Sequence, residues 1–159
     1  MIHIRKENEA DYPHVMNIIE RESGDVHRNR HISLAEMRSS EFFVPELSLV
    51  AEDDERKIAG HIYLIKILTH RIYPSLGIAH IVVAPEYQGL SIVAMMVEKA
   101  HQKAKELGYG SVVSLEYKKF LSKLGYYTVA NLGIRFPYSV FENQCLIAEL
   151  HPGALAWYG

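Results

Sequence analysis

The stretch Val82-Val83-Ala84-Pro85-Glu86-Tyr87-Gln88-Gly89-Leu90-Ser91-Ile92-Val93-Ala94 runs from an apolar, β-branched segment through a proline into residues of helical periodicity. Pro85 has no N–H and fixes its own φ, so a strand stops there. A helix that begins directly after a strand end leaves backbone N–H groups without helical acceptors and presents the positive end of its dipole. That junction is a natural seat for a diphosphate.

Other groupings carry less. His27 and His31 stand i, i+4, which on a helix turns two imidazoles toward one metal, but Gly24 and Asn29 favour a loop and no metal site is expected. Arg28, Arg30 and Arg71 are either a surface for an acidic substrate or solvated cations. Met95 and Met96 read as helix packing, and Cys145 as a small buried residue rather than a nucleophile. Trp157-Tyr158 either covers a hydrophobic edge or joins a homodimer interface.

Composition bounds what these residues serve. With 159 residues, 48% hydrophobic and 23% charged, the chain suits one globular domain. A chain of this size buries about 68–70% of the surface its unfolded form exposes, and needs neither disulfides nor a structural metal. The one cysteine cannot form an intrachain bridge, which points to a reducing compartment. Seventeen basic against nineteen acidic residues leave a net charge of -2, with no global field for nucleic acid or anionic lipid. The N-terminus has no apolar segment of signal-peptide length, and the longest apolar runs, 76–84 and 90–97, fall short of the ~20 residues of a membrane helix. The expectation is a cytoplasmic protein with no nucleic-acid or membrane partner.

The elements that must position the junction follow from periodicity. Ile2–Arg5 alternates as a short strand, and Ala10–Glu22 carries Tyr12, Val15, Met16, Ile18 and Ile19 on a helical face. Ser33-Leu34-Ala35-Glu36 has capping-box spacing and starts a second helix. Leu47–Glu52 and Ile58–Leu68 flank the polar turn 53–57 as an antiparallel hairpin. Leu76–Ala84 is apolar almost throughout, as a central strand covered on both faces would be. Gln88–Leu107 is the clearest helix, with Ile92, Val93, Met96, Val97, Ala100, Ala104 and Leu107 on one face and Gly108 as its C-cap. Ser111–Leu115 is a strand, Glu116–Leu124 a short helix ended by Gly125, and Tyr126–Ala130 and Gln144–Leu150 are two last strands. This order describes a mixed α/β domain with helices on both sides of its sheet and one parallel strand–helix–strand unit, 76–115.

At this point the chain resembles the GNAT superfamily of acyl-CoA-dependent N-acetyltransferases. Their acetyl-CoA loop reads Arg/Gln-x-x-Gly-x-Gly/Ala after a strand, and Gln88 and Gly89 match its usual form. Gly125-Tyr126 resembles the Gly-Phe/Tyr pair that follows the fifth strand of these enzymes. The tail segments 132–138 and 148–155 are similar to the end of a branch of small predicted acetyltransferases of unassigned substrate. The resemblance implies a mostly antiparallel central sheet and acetyl-CoA as co-substrate. The backbone of Val82 and Val83 would pair with the pantetheine arm and offer an N–H to the oxyanion. Amides of Gln88, Gly89, Leu90, Ser91, Ile92, Val93 and Ala94 would hold the diphosphate.

Three positions depart from the family pattern. Leu90 stands where lysine is common, and Ser91 and Val93 where two glycines are expected. Serine is a mild change, since its hydroxyl can itself donate to a phosphate. As a helix residue valine costs under ~0.7 kcal/mol. Its side chain either obstructs the phosphates, which would cost several orders of magnitude in affinity, or tilts away and costs little. The tyrosine that protonates the departing thiolate in these enzymes is replaced by Leu121, and Tyr117, one turn earlier on the same face, is the stand-in.

The resemblance also places His80 just before the thioester site, where a base would take the amine proton, and an imidazole ordinarily titrates near working pH. Against this stands a core histidine bonded to the backbone. Glu116 is a weaker candidate base. Two functions remain: acetyl transfer to the amine of a small molecule or peptide by direct attack, or a non-catalytic module of the same fold that binds a ligand or protein and no longer holds acetyl-CoA.

Overall fold

In the computed structural model, residues 1–23, 34–67, 74–87, 90–114, 121–128 and 146–151 are described. The alternating N-terminus forms β1 (His3–Lys6), and the hairpin forms β2 (Phe43–Glu52) and β3 (Ile58–Ile67). The apolar run forms β4 (Ser75–Val83), followed by β5 (Ser111–Ser114), β6 (Tyr127–Thr128) and β7 (Leu146–Glu149). They make a seven-stranded sheet in the order β1-β2-β3-β4-β5-β7-β6. Only β4 and β5 pair in parallel, so the mostly antiparallel mixed α/β architecture expected of the sequence is present.

The helices are α1 (Tyr12–Ser23), α2 (Leu34–Arg38) and α3 (Leu90–Glu106). Asn8 and Asp11 form a capping box ahead of α1: the Asn8 side chain accepts from the Ala10 N–H at 3.0 Å, and Asp11 accepts from the Asn8 N–H at 2.8 Å. Asp11 and Glu52 also grip the Arg5 guanidinium at 2.8 and 2.9 Å, tying β1, β2 and the entry to α1 together. At the other end of α3, Gly108 adopts φ +94°, the left-handed cap that glycine takes without strain. Leu107 differs from expectation: it lies past the helix end and is 40% exposed.

Strand alternation sorts side chains onto two faces. Leu49, Ala51, Ile62 and Leu64 join the α3 residues Ile92, Met96, Val97, Ala100 and Ala104 in the main core. Val50, Tyr63 and Ile65 join Val15 and Ile18 of α1 and Leu34 and Met37 of α2 in the second. Of the two methionines in α3, Met96 is fully buried and Met95 exposed. The first segment of the C-terminal part docks on α3, where the Tyr126 hydroxyl is hydrogen-bonded to Nε2 of His101; burial pushes the His101 imidazole down to about 4 and the Tyr126 phenol up. His27, His31, Arg28, Arg30, Arg71, Cys145, Trp157, Tyr158 and the cap at Ser33 lie outside the described residues. Among the described residues no helix is long and apolar enough to cross a membrane.

Two irregularities shape β3 and β4. Leu64 opposes Ile78 and Tyr63 opposes His80, so Ala79 is an extra residue, a β-bulge. At Gly60 the β3 backbone comes so close to β4 that a Cβ would sit 2.8 Å from the Val82 carbonyl oxygen and 3.2 Å from Met96 Cε. Gly60→Ala is therefore expected to cost about 1–3 kcal/mol through overpacking, read as a lower urea midpoint at unchanged m. An unchanged midpoint would show that the two strands part there without cost.

Candidate active site

The site lies where β4 hands over to α3. Among the described residues the ladder between β4 and β5 pairs Ser75–Ser111, Leu76–Val112 and Gly77–Val113, and β4 runs on to Val83, a few residues before α3 begins. The carboxyl end of a strand, beside a helix N-terminus, is where sheets of this kind receive ligands.

The turn from β4 into α3 is braced from below. The Ala84 N–H donates to the Ala59 carbonyl at 2.8 Å, and residues Pro85–Tyr87 form a single helical turn. The Tyr87 hydroxyl donates to Asp53, which itself accepts from the amides of Glu55 and Lys57 at 2.9 Å. This carboxylate pushes the Tyr87 phenol up to about 12. Glu86 pairs with Arg21 of α1 at 3.1 Å and Lys57 at 3.6 Å, and the Arg21 guanidinium holds its carboxyl down at about 2. Glu86 is thus paired with two cations, and the first turn of α3 contains no acid.

The residues expected to bind the diphosphate fall as follows. Gln88 and Gly89 lie outside the described residues, and Leu90 opens α3. Ser91 is exposed, Ile92 is buried in the main core, and Ala94 is half-buried. Val93 is half-buried and packs against the main core. Val83 is buried in that core and Val82 packs against the second. Glu116 and Tyr117 lie outside the described residues, while Leu121 is fully buried in the main core.

His80 is half-buried, on the second-core face beside Tyr63, their rings edge-to-face at 4.6 Å. It is not a histidine held only by backbone. Its Nε2 lies 2.7 Å from Nδ1 of His61, a fully buried β3 residue. The other His61 nitrogen, Nε2, lies 2.9 Å from Ser48 Oγ and 3.3 Å from Glu7 Oε2. Ser48 donates to Glu7 Oε1 at 2.7 Å, and Arg38 of α2 donates to Glu7 Oε2 at 2.7 Å. The Arg38 guanidinium lies 3.6 Å above the Tyr12 ring. Burial pushes the His61 imidazole down and keeps it neutral. Burial also works against the charge on Glu7, but hydrogen bonds from His61, Ser48 and Arg38 outweigh it and hold the carboxyl below the usual range.

Glu7, Ser48 and His61 carry no motif; they come from the end of β1, from β2 and from β3. In the sequence His61 is one polar residue within a strand-like run, and strand pairing alone joins it to the others.

The family model for acetyltransferases of the GNAT family matches residues 4–126. A GNAT family N-acetyltransferase (YhbS) from Escherichia coli, solved in complex with CoA, superposes with a TM-score of 0.82 at 24% identity, covering 97% of this chain and 84% of that one. A GNAT family acetyltransferase from Brucella melitensis in complex with acetyl-CoA gives 0.67 at 20% identity over 89% and 91% of the two chains. The NatC complex bound to Gag peptide and CoA gives 0.69 at 18% over 94% and 99%. At these identities the likeness is one of fold, and no protein of curated function matches the sequence. The family model, which spans most of the chain and includes both β4 and the β4–α3 junction, settles the membership: the protein belongs to the acetyltransferase (GNAT) family.

Proposed function

We propose that the protein transfers the acetyl group of acetyl-CoA to the amine of a small molecule or peptide by direct attack. The observation that carries this reading is the junction: β4 hands over to a long helix whose first turn has no acid and beside which the Glu86 carboxylate is paired with Arg21 and Lys57. The side chains there fit a diphosphate. Ser91 is exposed with a hydroxyl to give, and Val93 is packed against the main core, which favours the transferase over a non-catalytic module. Relatives solved with CoA or acetyl-CoA support the same ligand, and one solved with a peptide supports an amine acceptor of that class.

In this reading amides from Gln88 to Ala94 hold the diphosphate and the backbone at Val82–Val83 runs along the pantetheine arm. The amine nitrogen attacks the thioester carbonyl; the C–N bond forms, the C–S bond breaks, and the electron pair leaves on sulfur. His80 takes the proton released by nitrogen, directly or through one water. Tyr117 returns a proton to the thiolate, a modest task because a thiol of pKa ~8.5 leaves readily near neutrality. Glu116 is the reserve base. A cytoplasmic setting, where acetyl-CoA is available, suits this chemistry.

Three outcomes are expected. Acetyl-CoA at 100 times its Kd adds about 2.7 kcal/mol, so the melting temperature rises by roughly 5–10 °C, and no rise at millimolar ligand contradicts the proposal. Val93→Gly lowers stability by about 1–2 kcal/mol but leaves acetyl-CoA affinity within about twofold by calorimetry; a tenfold gain would mean that the isopropyl group obstructs the phosphates after all. His80→Asn lowers kcat by about 10²–10⁴ with KM for acetyl-CoA unchanged in a thiol-release assay, and an equal kcat removes His80 from the chemistry.

A further inference from the structure

Hydrogen counting fixes the protons of the buried chain behind His80. The Ser48 hydroxyl has one proton and gives it to Glu7, so its oxygen accepts from His61 Nε2–H. A neutral His61 with its proton on Nε2 has its lone pair on Nδ1, and the only group at hydrogen-bond distance of that atom among the described contacts is His80 Nε2, at 2.7 Å. His80 Nε2 is then the donor, and a neutral His80 ring has its lone pair on Nδ1. Had Glu7 been a neutral acceptor-donor, the chain could run either way; as a carboxylate it can only accept.

We infer that Glu7 and His61 are positioning residues for His80: through the His61 ring, the Glu7 carboxylate holds the His80 proton on Nε2 and leaves Nδ1 as the atom that receives the substrate proton. The inference rests on the transferase reading for what His80 does, but not for which nitrogen carries its proton. When His80 Nδ1 gains that proton, the cation keeps its Nε2–H···Nδ1 bond to His61, whose far nitrogen already faces Glu7. The carboxylate thereby stabilises the imidazolium at one ring's remove, as the orienting acid of a catalytic triad does for its histidine. Among the described residues, the other ionisable and charged groups about this chain include Arg38 from α2, Asp11 ahead of α1, itself held by Arg5, and Tyr63 on β3.

Ser48 and Arg38 keep Glu7 satisfied independently of His61. Replacement of His61 is therefore the milder perturbation, whereas Glu7→Gln strips Arg38 of its counter-charge.

The test is the long-range nitrogen–proton NMR spectrum of histidine side chains in the ligand-free protein, assigned with His80→Asn and His61→Phe. Both rings of the wild-type protein should carry the proton on Nε2 at neutral pH; a His80 ring protonated on Nδ1 overturns the inference. His61→Phe should release His80 into a mixture of tautomers, and His61→Gln, whose amide can accept from His80 and donate toward Glu7, should restore the Nε2–H form. An unchanged tautomer in His61→Phe also overturns it. Where Glu7→Gln folds, the His80 titration midpoint should fall by about one unit, because the imidazolium loses its nearby negative charge. The acid limb of the kcat profile should move to lower pH with it, at unchanged KM for acetyl-CoA; no movement is a contrary result. Expected tautomers with no acetyl-CoA melting shift would support the proton assignment while ending the transferase reading. A normal melting shift with the wrong tautomer would end the inference alone.

Discussion

β3 and β4 pair residue for residue on either side of one irregularity, the extra residue Ala79 between the pairs Leu64–Ile78 and Tyr63–His80. Side chains alternate with a period of two, so one added residue reverses the facing of everything beyond it. Without the bulge His80 would oppose Ile62, which is fully buried in the apolar core under α3, and an imidazole there would lose its hydrogen bonds to water with nothing to replace them. With the bulge His80 faces the second core beside Tyr63 and within reach of His61, while Ile81 and Val83 remain on the main-core side. The orientation of the candidate base and the burial of the strand end beside α3 are thus set by the same residue.

Charge is placed around this frame with some economy. Exposed pairs brace the turn into α3, where Arg21, Lys57 and Asp53 hold Glu86 and Tyr87; pairs of that kind contribute little to stability but fix a short segment in place. The buried group is different. Taking Glu7 and Arg38 out of water costs several kcal/mol per ion, and the cost is offset only because every oxygen of Glu7 is hydrogen-bonded. Apolar residues of similar volume would be at least as stable there, so a carboxylate one imidazole away from the candidate base is better explained by its effect on that base.

Much of the architecture was legible from residue order. The hairpin announced itself by two apolar runs around Asp53–Lys57, α3 by its spacing from Ile92 to Ala104, and two chain reversals by Gly108 and Gly125, both with left-handed φ. Gln88-Gly89 and the proline before them marked the junction. The bulge did not show, because Ile78-Ala79-His80-Ile81 reads as strand whether or not one residue is extra. For the same reason His80 was visible as a candidate while its partners were not: Glu7, Ser48 and His61 meet through sheet register, a long-range property that no local pattern encodes. The ambiguity over Val93 was of another kind, since helical phase decides it, and the observed phase turns that residue to the core.

The central claim is that the β4–α3 junction and the bulged face of β4 serve one reaction. A crystal structure with acetyl-CoA bound tests it most directly. The account predicts the diphosphate on the amides at the start of α3, and the thioester carbonyl beside Val82 with His80 within direct or single-water hydrogen-bond reach of the attacking position. A diphosphate seated elsewhere, or a thioester on the main-core face of β4 out of reach of His80, would contradict it.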